Sequence, residues 1–237
     1  MMRFFRYIVS FIVYMGWNGG RVLLCALARV RHRRGGIYDR ASQHWASGML
    51  RGTGIKVRVV GRERLDPLTP YVYISSHTSF VDIWALLSEL PGTVRFIYKK
   101  GMNWIPLMGI AMRAARHIPI DRHNRSRAFA VYDEAAEMIR GGLSAVVFAE
   151  GTRSRDGRLK PFKKGPFVLA VAAQVPVVPI YCAGAYELMP PGSWTPSPGT
   201  VTVYVGEPIP TAGLGYDARD DLADRTRAAI LALGAHE

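Results

Sequence analysis

The sequence reads as an α/β fold: a single domain whose mixed, largely parallel sheet is flanked by helices, preceded by a separate N-terminal apolar segment. Three observations carry this. Short β-branched runs alternate with runs of helical period along most of the chain, the pattern of strand–helix–strand units. A length of 237 residues with 49% apolar content suits one domain with a sizeable core. The opening stretch differs sharply from the rest, having Arg3, Arg6, Arg21, Arg29, Arg31, Arg33 and Arg34 but no acidic residue before Asp39.

Residues 1–34 are expected to be a membrane-associated helical segment, and 35–237 the folded domain. The apolar stretch from Phe4 to Val30 is long enough to cross a bilayer, which takes about 20 residues. It is interrupted by Arg6 and by Asn18-Gly19-Gly20-Arg21. The interruption favours two short helices broken at Trp17–Arg21 and lying in one leaflet. The competing readings are a single spanning helix and a cleaved signal peptide, for which no small-x-small site follows. The run Arg29–Arg34 would sit beside anionic headgroups and keep the following domain on the cytoplasmic face of the inner membrane.

Further along, residues 38–52 read as a helix and 54–61 as a strand. Residues 70–76 form a second strand, followed by a helix from Val81 that Pro91-Gly92 closes. A third strand covers 93–100. The apolar stretch 102–112 is partly helical, and is either core or a wall for an apolar ligand. Residues 117–121 make a short strand. The clearest amphipathic helix is 125–140, ended by Gly141-Gly142. A buried strand at 143–151, a helix at 165–174 with Pro near its first turn, and a strand at 175–184 follow. Residues 200–209 alternate as an edge strand would, and the last 20 residues form a polar amphipathic helix. Cys25 and Cys182, the only two cysteines, read as unpaired core thiols.

The net charge of +13 points to a polyanionic partner. Nucleic acid is disfavoured, because no aromatic residues interleave with a basic stripe; an anionic membrane surface fits the Arg clustering. No phosphate-binding glycine loop, dinucleotide fingerprint or G-x-S-x-G elbow is present, and the six histidines lack metal-ligand spacing. What remains is His77 and, five residues on, Asp82. Within one regular helix they would lie about 140° apart. With His77 in the turn after a strand and Asp82 in the first turn of a helix capped by Ser79, they converge. A carboxylate behind an imidazole fixes its tautomer, so the other nitrogen can take a proton. The bland alternative, a loop His beside an Asp at a helix start, stays open on spacing alone. Glu150-Gly151-Thr152-Arg153 closes an apolar strand, with Gly allowing close backbone approach and Arg a bidentate anion grip. Arg122 ends the strand at 117–121, and Lys99 and Lys100 end that at 93–100. Gathered at one sheet rim, these groups would bind a phosphate.

At this point the chain resembles the 1-acylglycerol-3-phosphate O-acyltransferases among the glycerolipid acyltransferases. Four blocks carry the resemblance in order: H-x4-D in His77–Asp82, an apolar run ending in Arg at 117–122, F-x-E-G-T-R at 148–153, and V-P-V-V-P at 175–179. The third departs from the usual pattern at Ala149, where Pro is common. Residues 160–167 resemble the stretch that follows the third block. The resemblance implies acyl transfer from acyl-CoA or acyl-carrier protein to the sn-2 hydroxyl of lysophosphatidic acid. It implies His77 as general base and Asp82 as its orienting partner. Lys99, Lys100, Arg122 and Arg153 would hold the acceptor's phosphate, while Glu150, Gly151 and Thr152 shape its site. Neither metal nor cofactor is implied beyond the acyl carrier. Another lysolipid, such as lyso-ornithine lipid, is the alternative acceptor; a non-catalytic membrane lipid-binding protein is the alternative of another class.

Overall fold

The computed structural model describes residues 2–121 and 125–235. Its helices are α1 (Met2–Leu27), α2 (Ile37–Thr53), α3 (Val81–Glu89), α4 (Met108–Ala114), α5 (Arg125–Arg140), α6 (Gly165–Ala173), α7 (Ala185–Leu188) and α8 (Arg219–Gly234). Its strands are β1 (Ile55–Val60), β2 (Val72–Ser75), β3 (Val94–Lys99), β4 (Ile118–Ile120), β5 (Ser144–Val147), β6 (Val177–Ala183) and β7 (Gly199–Val205). They form one seven-stranded sheet in the order β1-β7-β6-β2-β5-β3-β4. The five strands from β6 to β4 run parallel; β7 runs antiparallel to β6, and β1 parallel to β7.

The alternation of each strand divides the core in two. Tyr73, Val146, Phe148, Val178 and Ile180 face Met49, Val81 and Trp84 of α2 and α3. Val72, Ile74, Ala145 and Val147 face Ile139, Phe167, Leu169, Leu222 and Ile230 of α5, α6 and α8. Covered on both faces, β2 and β5 are buried throughout, as a parallel sheet requires. The mixed, largely parallel α/β sheet is the one expected. Residues 200–209 are a correction: β7 lies inside the sheet between β6 and β1. Its alternation arises because Val201, Val203 and Val205 are buried while Thr202 and Tyr204 are only partly covered. The edges are β1, guarded by exposed Lys56 and Arg58, and β4, where Pro119 is tolerated because an edge strand need not donate on both sides.

The N-terminal segment is a second correction. No break occurs at Trp17–Arg21; α1 is continuous over 26 residues. Two of the residues that read as breakers, Asn18 and Gly19, face inward. Asn18 is buried, with its Oδ1 against His44 Nδ1 at 3.1 Å and its Nδ2 donating to the Tyr14 carbonyl at 2.8 Å. Gly19 lies under Leu107, where a Cβ would approach Leu107 Cγ to 3.0 Å. On α2, a Cβ at Gly48 would come within 2.2 Å of the Tyr14 ring, and one at Gly52 within 1.9 Å of Ser10 Oγ. Glycines four apart on α2 therefore let the two helices meet closely. The outer face of α1 is apolar and exposed, presenting Phe5, Ile12, Val13, Trp17 and Leu24. By length and composition this helix could cross a membrane. The stretch 102–112 is not core: Trp104, Ile105 and Ile110 are exposed, and α4 packs beside α1.

Candidate active site

β2 and β5 are parallel neighbours, so the loops after them leave the same rim of the sheet, at the carboxyl ends where open α/β sheets place their sites. The first loop carries His77 and the second Glu150. Ser76 fastens the first loop to β6: its backbone N–H donates to Ile180 O, and its Oγ accepts from Cys182 N–H, both at 3.1 Å.

His77 is held from four sides. Its Nδ1 lies 3.1 Å from Asp82 Oδ2. Its ring stacks on Phe148 with centroids 3.7 Å apart and planes 12° from parallel. Its backbone N–H donates to Glu150 Oε1 at 2.8 Å, and its carbonyl accepts from Ser154 N–H at 2.7 Å. Asp82, in the first turn of α3, is fully buried. The same Oδ2 also accepts the backbone N–H groups of Thr78 at 2.7 Å and Ser79 at 2.9 Å. An acceptor-only carboxylate so placed selects the tautomer with hydrogen on Nδ1 and leaves Nε2 with its lone pair. The strand–turn–helix geometry anticipated for the pair is therefore present. Ser79 does its capping one residue early: the residue preceding α3 is Phe80, and Ser79 Oγ accepts the N–H of Val81 at 3.1 Å.

Glu150 braces the two loops. It is buried, and besides His77 N–H its other oxygen accepts Lys160 N–H at 2.9 Å. Burial pushes its carboxyl upward, opposed by the two amides. Gly151 adopts a φ of +78°, the left-handed conformation glycine takes without strain. Thr152 Oγ1 accepts Lys160 Nζ at 2.9 Å, and the same ammonium donates to the Arg153 carbonyl at 3.0 Å. The Arg153 guanidinium sits 4.2 Å over the Phe80 ring. Burial lowers its pKa, opposed by the fields of Asp82 and Tyr7.

His77, Asp82, Glu150, Gly151, Thr152 and Arg153 are thus brought into one constellation. Lys99 and Lys100 emerge exposed at the same rim, at the end of β3 and beyond β5. Arg122 lies outside the described residues. Sequence reasoning missed Phe148 and Ser154 as supports of His77, since each acts only across a loop–loop contact. Lys160 was visible only as the start of the stretch after the third block. Beside the His77 turn is a hollow of about 270 Å³ lined by Thr78, Asp156, Arg158, Tyr181 and Tyr186, and Thr78 Oγ1 is buried there without a partner among the described residues.

The family model "Acyltransferase" matches residues 56–183, more than half of the chain and all of this site. Human 1-acyl-sn-glycerol-3-phosphate acyltransferase alpha is 37% identical over 179 residues, covering 75% of this chain and 63% of the human protein. This chain thus spans less than two thirds of that relative's length. A 1-acyl-sn-glycerol-3-phosphate acyltransferase from Limnanthes douglasii is 35% identical over 216 residues, covering 90% of this chain and 74% of the plant protein. The crystal structure of the 1-acyl-sn-glycerophosphate (LPA) acyltransferase PlsC from Thermotoga maritima matches with a TM-score of 0.79 and 26% identity, over 97% of this chain and 92% of that one. A matched family block that encloses the His77–Asp82 pair, on a backbone shared almost end to end, leads to one conclusion: the chain belongs to the acyltransferase family.

Proposed function

We propose that the protein transfers a fatty acyl group from a thioester, acyl-CoA or acyl-carrier protein, to the sn-2 hydroxyl of 1-acylglycerol-3-phosphate, yielding phosphatidic acid. The observation that carries the reading is the 3.1 Å contact of His77 Nδ1 with a fully buried Asp82. It leaves Nε2 as the base. Nε2 takes the acceptor hydroxyl's proton as the oxygen attacks the thioester carbonyl, and Asp82 stabilises the imidazolium. When the C–S bond breaks, the imidazolium returns its proton to the departing thiolate. No acyl-enzyme is needed, and the nearby serines are engaged elsewhere. Ser75 Oγ donates to the Ser76 carbonyl at 3.0 Å, Ser76 Oγ accepts Cys182 N–H at 3.1 Å, and Ser79 Oγ donates to the Met189 carbonyl at 2.7 Å. The names of the relatives support this acceptor over lyso-ornithine lipid.

In this reading Arg153, Arg122, Lys99 and Lys100 bind the acceptor's phosphate, while Glu150, Gly151 and Thr152 hold the loop that shapes its place. Residues 1–34 attach the domain at 35–237 to the cytoplasmic face of the inner membrane. One face of α1 is buried from Tyr7 to Val22, about 22 Å of helix, so α1 lies along the bilayer surface with its exposed apolar face in the lipid. The test is an assay of purified protein with labelled lysophosphatidate and lyso-ornithine lipid, each with both thioester donors, for the wild type and His77→Ala. Turnover of lysophosphatidate that His77→Ala abolishes is expected; a near-full rate in that variant would remove the general-base role.

A further inference from the structure

At the opposite end of the sheet from His77, where β4 begins, a basin of about 440 Å³ opens between the end of α1 and the end of α4. It is lined by Arg29, Arg31 and His32 from the segment after α1, by Tyr38 of α2 and by Arg116 after α4. The charge in it is uncompensated. Among the described residues no carboxylate pairs with Arg29, Arg31 or Arg116. The acid whose field reaches His32, Asp39, is engaged by Arg95 at 2.7 Å, by Thr93 Oγ1 at 2.7 Å and by Gly35 N–H at 2.9 Å. The ends of α1 and α4 each contribute about half a negative charge, which three guanidinium groups outweigh.

Two further observations set this basin apart from ordinary helix-end arginines. Arg29 and Arg116 have φ of +53° and +61°. Both stand where a helix closes with a pair of reverse hydrogen bonds, Val30 to Cys25 with Arg29 to Ala26, and His117 to Met112 with Arg116 to Arg113. Glycine is usual there, and a non-glycine residue in that conformation is strained. The fold needs no guanidinium at either position, yet both point to one basin. Between them His32 stacks on Tyr38 at 3.8 Å, and its Nδ1 is buried with no hydrogen-bond partner among the described residues. Burial, then Arg116 and Arg95, hold this imidazole down at about 4, with Asp39 opposing.

We propose that this basin is a binding site for the phosphoryl headgroup of an anionic phospholipid, separate from the acceptor site at His77. Arg29, Arg31 and Arg116 take the phosphoryl oxygens, with the His32 ring forming the wall between them. A lipid rather than a free phosphate fits because the rim is apolar and exposed at Leu27 and Val30, continuous with the bare face of α1. The site would hold one lipid in a defined place, unlike a diffuse basic surface.

The test exploits the left-handed backbone. Arg29→Gly with Arg116→Gly removes both guanidinium groups while relieving strain, so the melting temperature should not fall. A control, Arg3→Gln with Arg33→Gln, removes the same charge outside the basin. With the full chain and phosphatidylcholine vesicles carrying phosphatidylglycerol, the glycine pair should bind about tenfold or more weakly, and the control far less so. Equal weakening in both would overturn the site in favour of diffuse attraction. On the wild type, titration with short-chain phosphatidylglycerol should move the His32 ring resonances saturably. Binding that leaves them unmoved, or inorganic phosphate displacing the lipid at equal concentration, would also overturn it.

Discussion

Asp82 Oδ2 lies 3.1 Å from His77 Nδ1 and accepts, on the same atom, the backbone N–H groups of Thr78 and Ser79 at 2.7 and 2.9 Å. One oxygen thus shapes the turn and orients the imidazole. With its oxygen in the place of Oδ2, Asp82→Asn keeps all three hydrogen bonds but loses the negative charge that stabilises the imidazolium. We expect kcat to fall by about 10²–10⁴-fold with little change in KM. A stopped assay beside a thermal melt checks this; a loss of rate that followed unfolding alone would count against the orienting role.

Glu150 joins two loops through His77 N–H and Lys160 N–H. Glu150→Gln keeps one acceptor oxygen and turns an N–H₂ toward the other amide. The variant should lose about 1–3 kcal/mol of stability. Denaturant unfolding measures it. Because burial raises this carboxyl, its charged form disfavours folding as pH rises through the folded pKa, and the gap to wild type should narrow there.

Docking of α1 depends on Gly48 and Gly52. Gly48→Val would drive its side chain into the Tyr14 ring, which already lies 2.2 Å from where a Cβ would stand. We expect a loss of about 1–3 kcal/mol, with α1 becoming accessible to protease before the sheet does. Limited proteolysis with mass analysis separates that order from global unfolding.

His117 is buried, and its Nδ1 accepts Phe96 N–H at 3.0 Å, so it must be neutral. Burial, then Arg95, lowers it to about 3. A folded pKa below the unfolded value means the stability is present above about 6.5 and is lost as pH falls toward 3. The slope from this group is about 1.4 kcal/mol per pH unit in that window. His117→Asn should flatten it, as urea unfolding at several pH values would show.

The α/β class, the order of strands and helices, and the pairing of His77 with Asp82 across a strand–turn–helix were legible because they are local. Apolar periodicity reports which face of an element is covered, and five residues of spacing limit how two side chains can meet. Which elements cover one another is not local. Asn18 and Gly19 read as breakers, but facing inward onto His44 and Leu107 they are satisfied by contacts that no window of sequence contains. The alternation of 200–209 reports one-sided burial, which an inner strand can share with an edge.

The site divides along the same line. From the sequence alone came the chemistry: an imidazole, a carboxylate five residues away, and a Glu-Gly-Thr-Arg turn after a buried strand. Only the tertiary structure decided that Glu150 grips the His77 backbone, that Phe148 backs the imidazole, and that Arg29 and Arg116, far apart in sequence, open onto one basin. The physical reason is the parallel sheet. Strands distant in sequence become neighbours, and the loops at their ends meet without any short-range pattern to announce it.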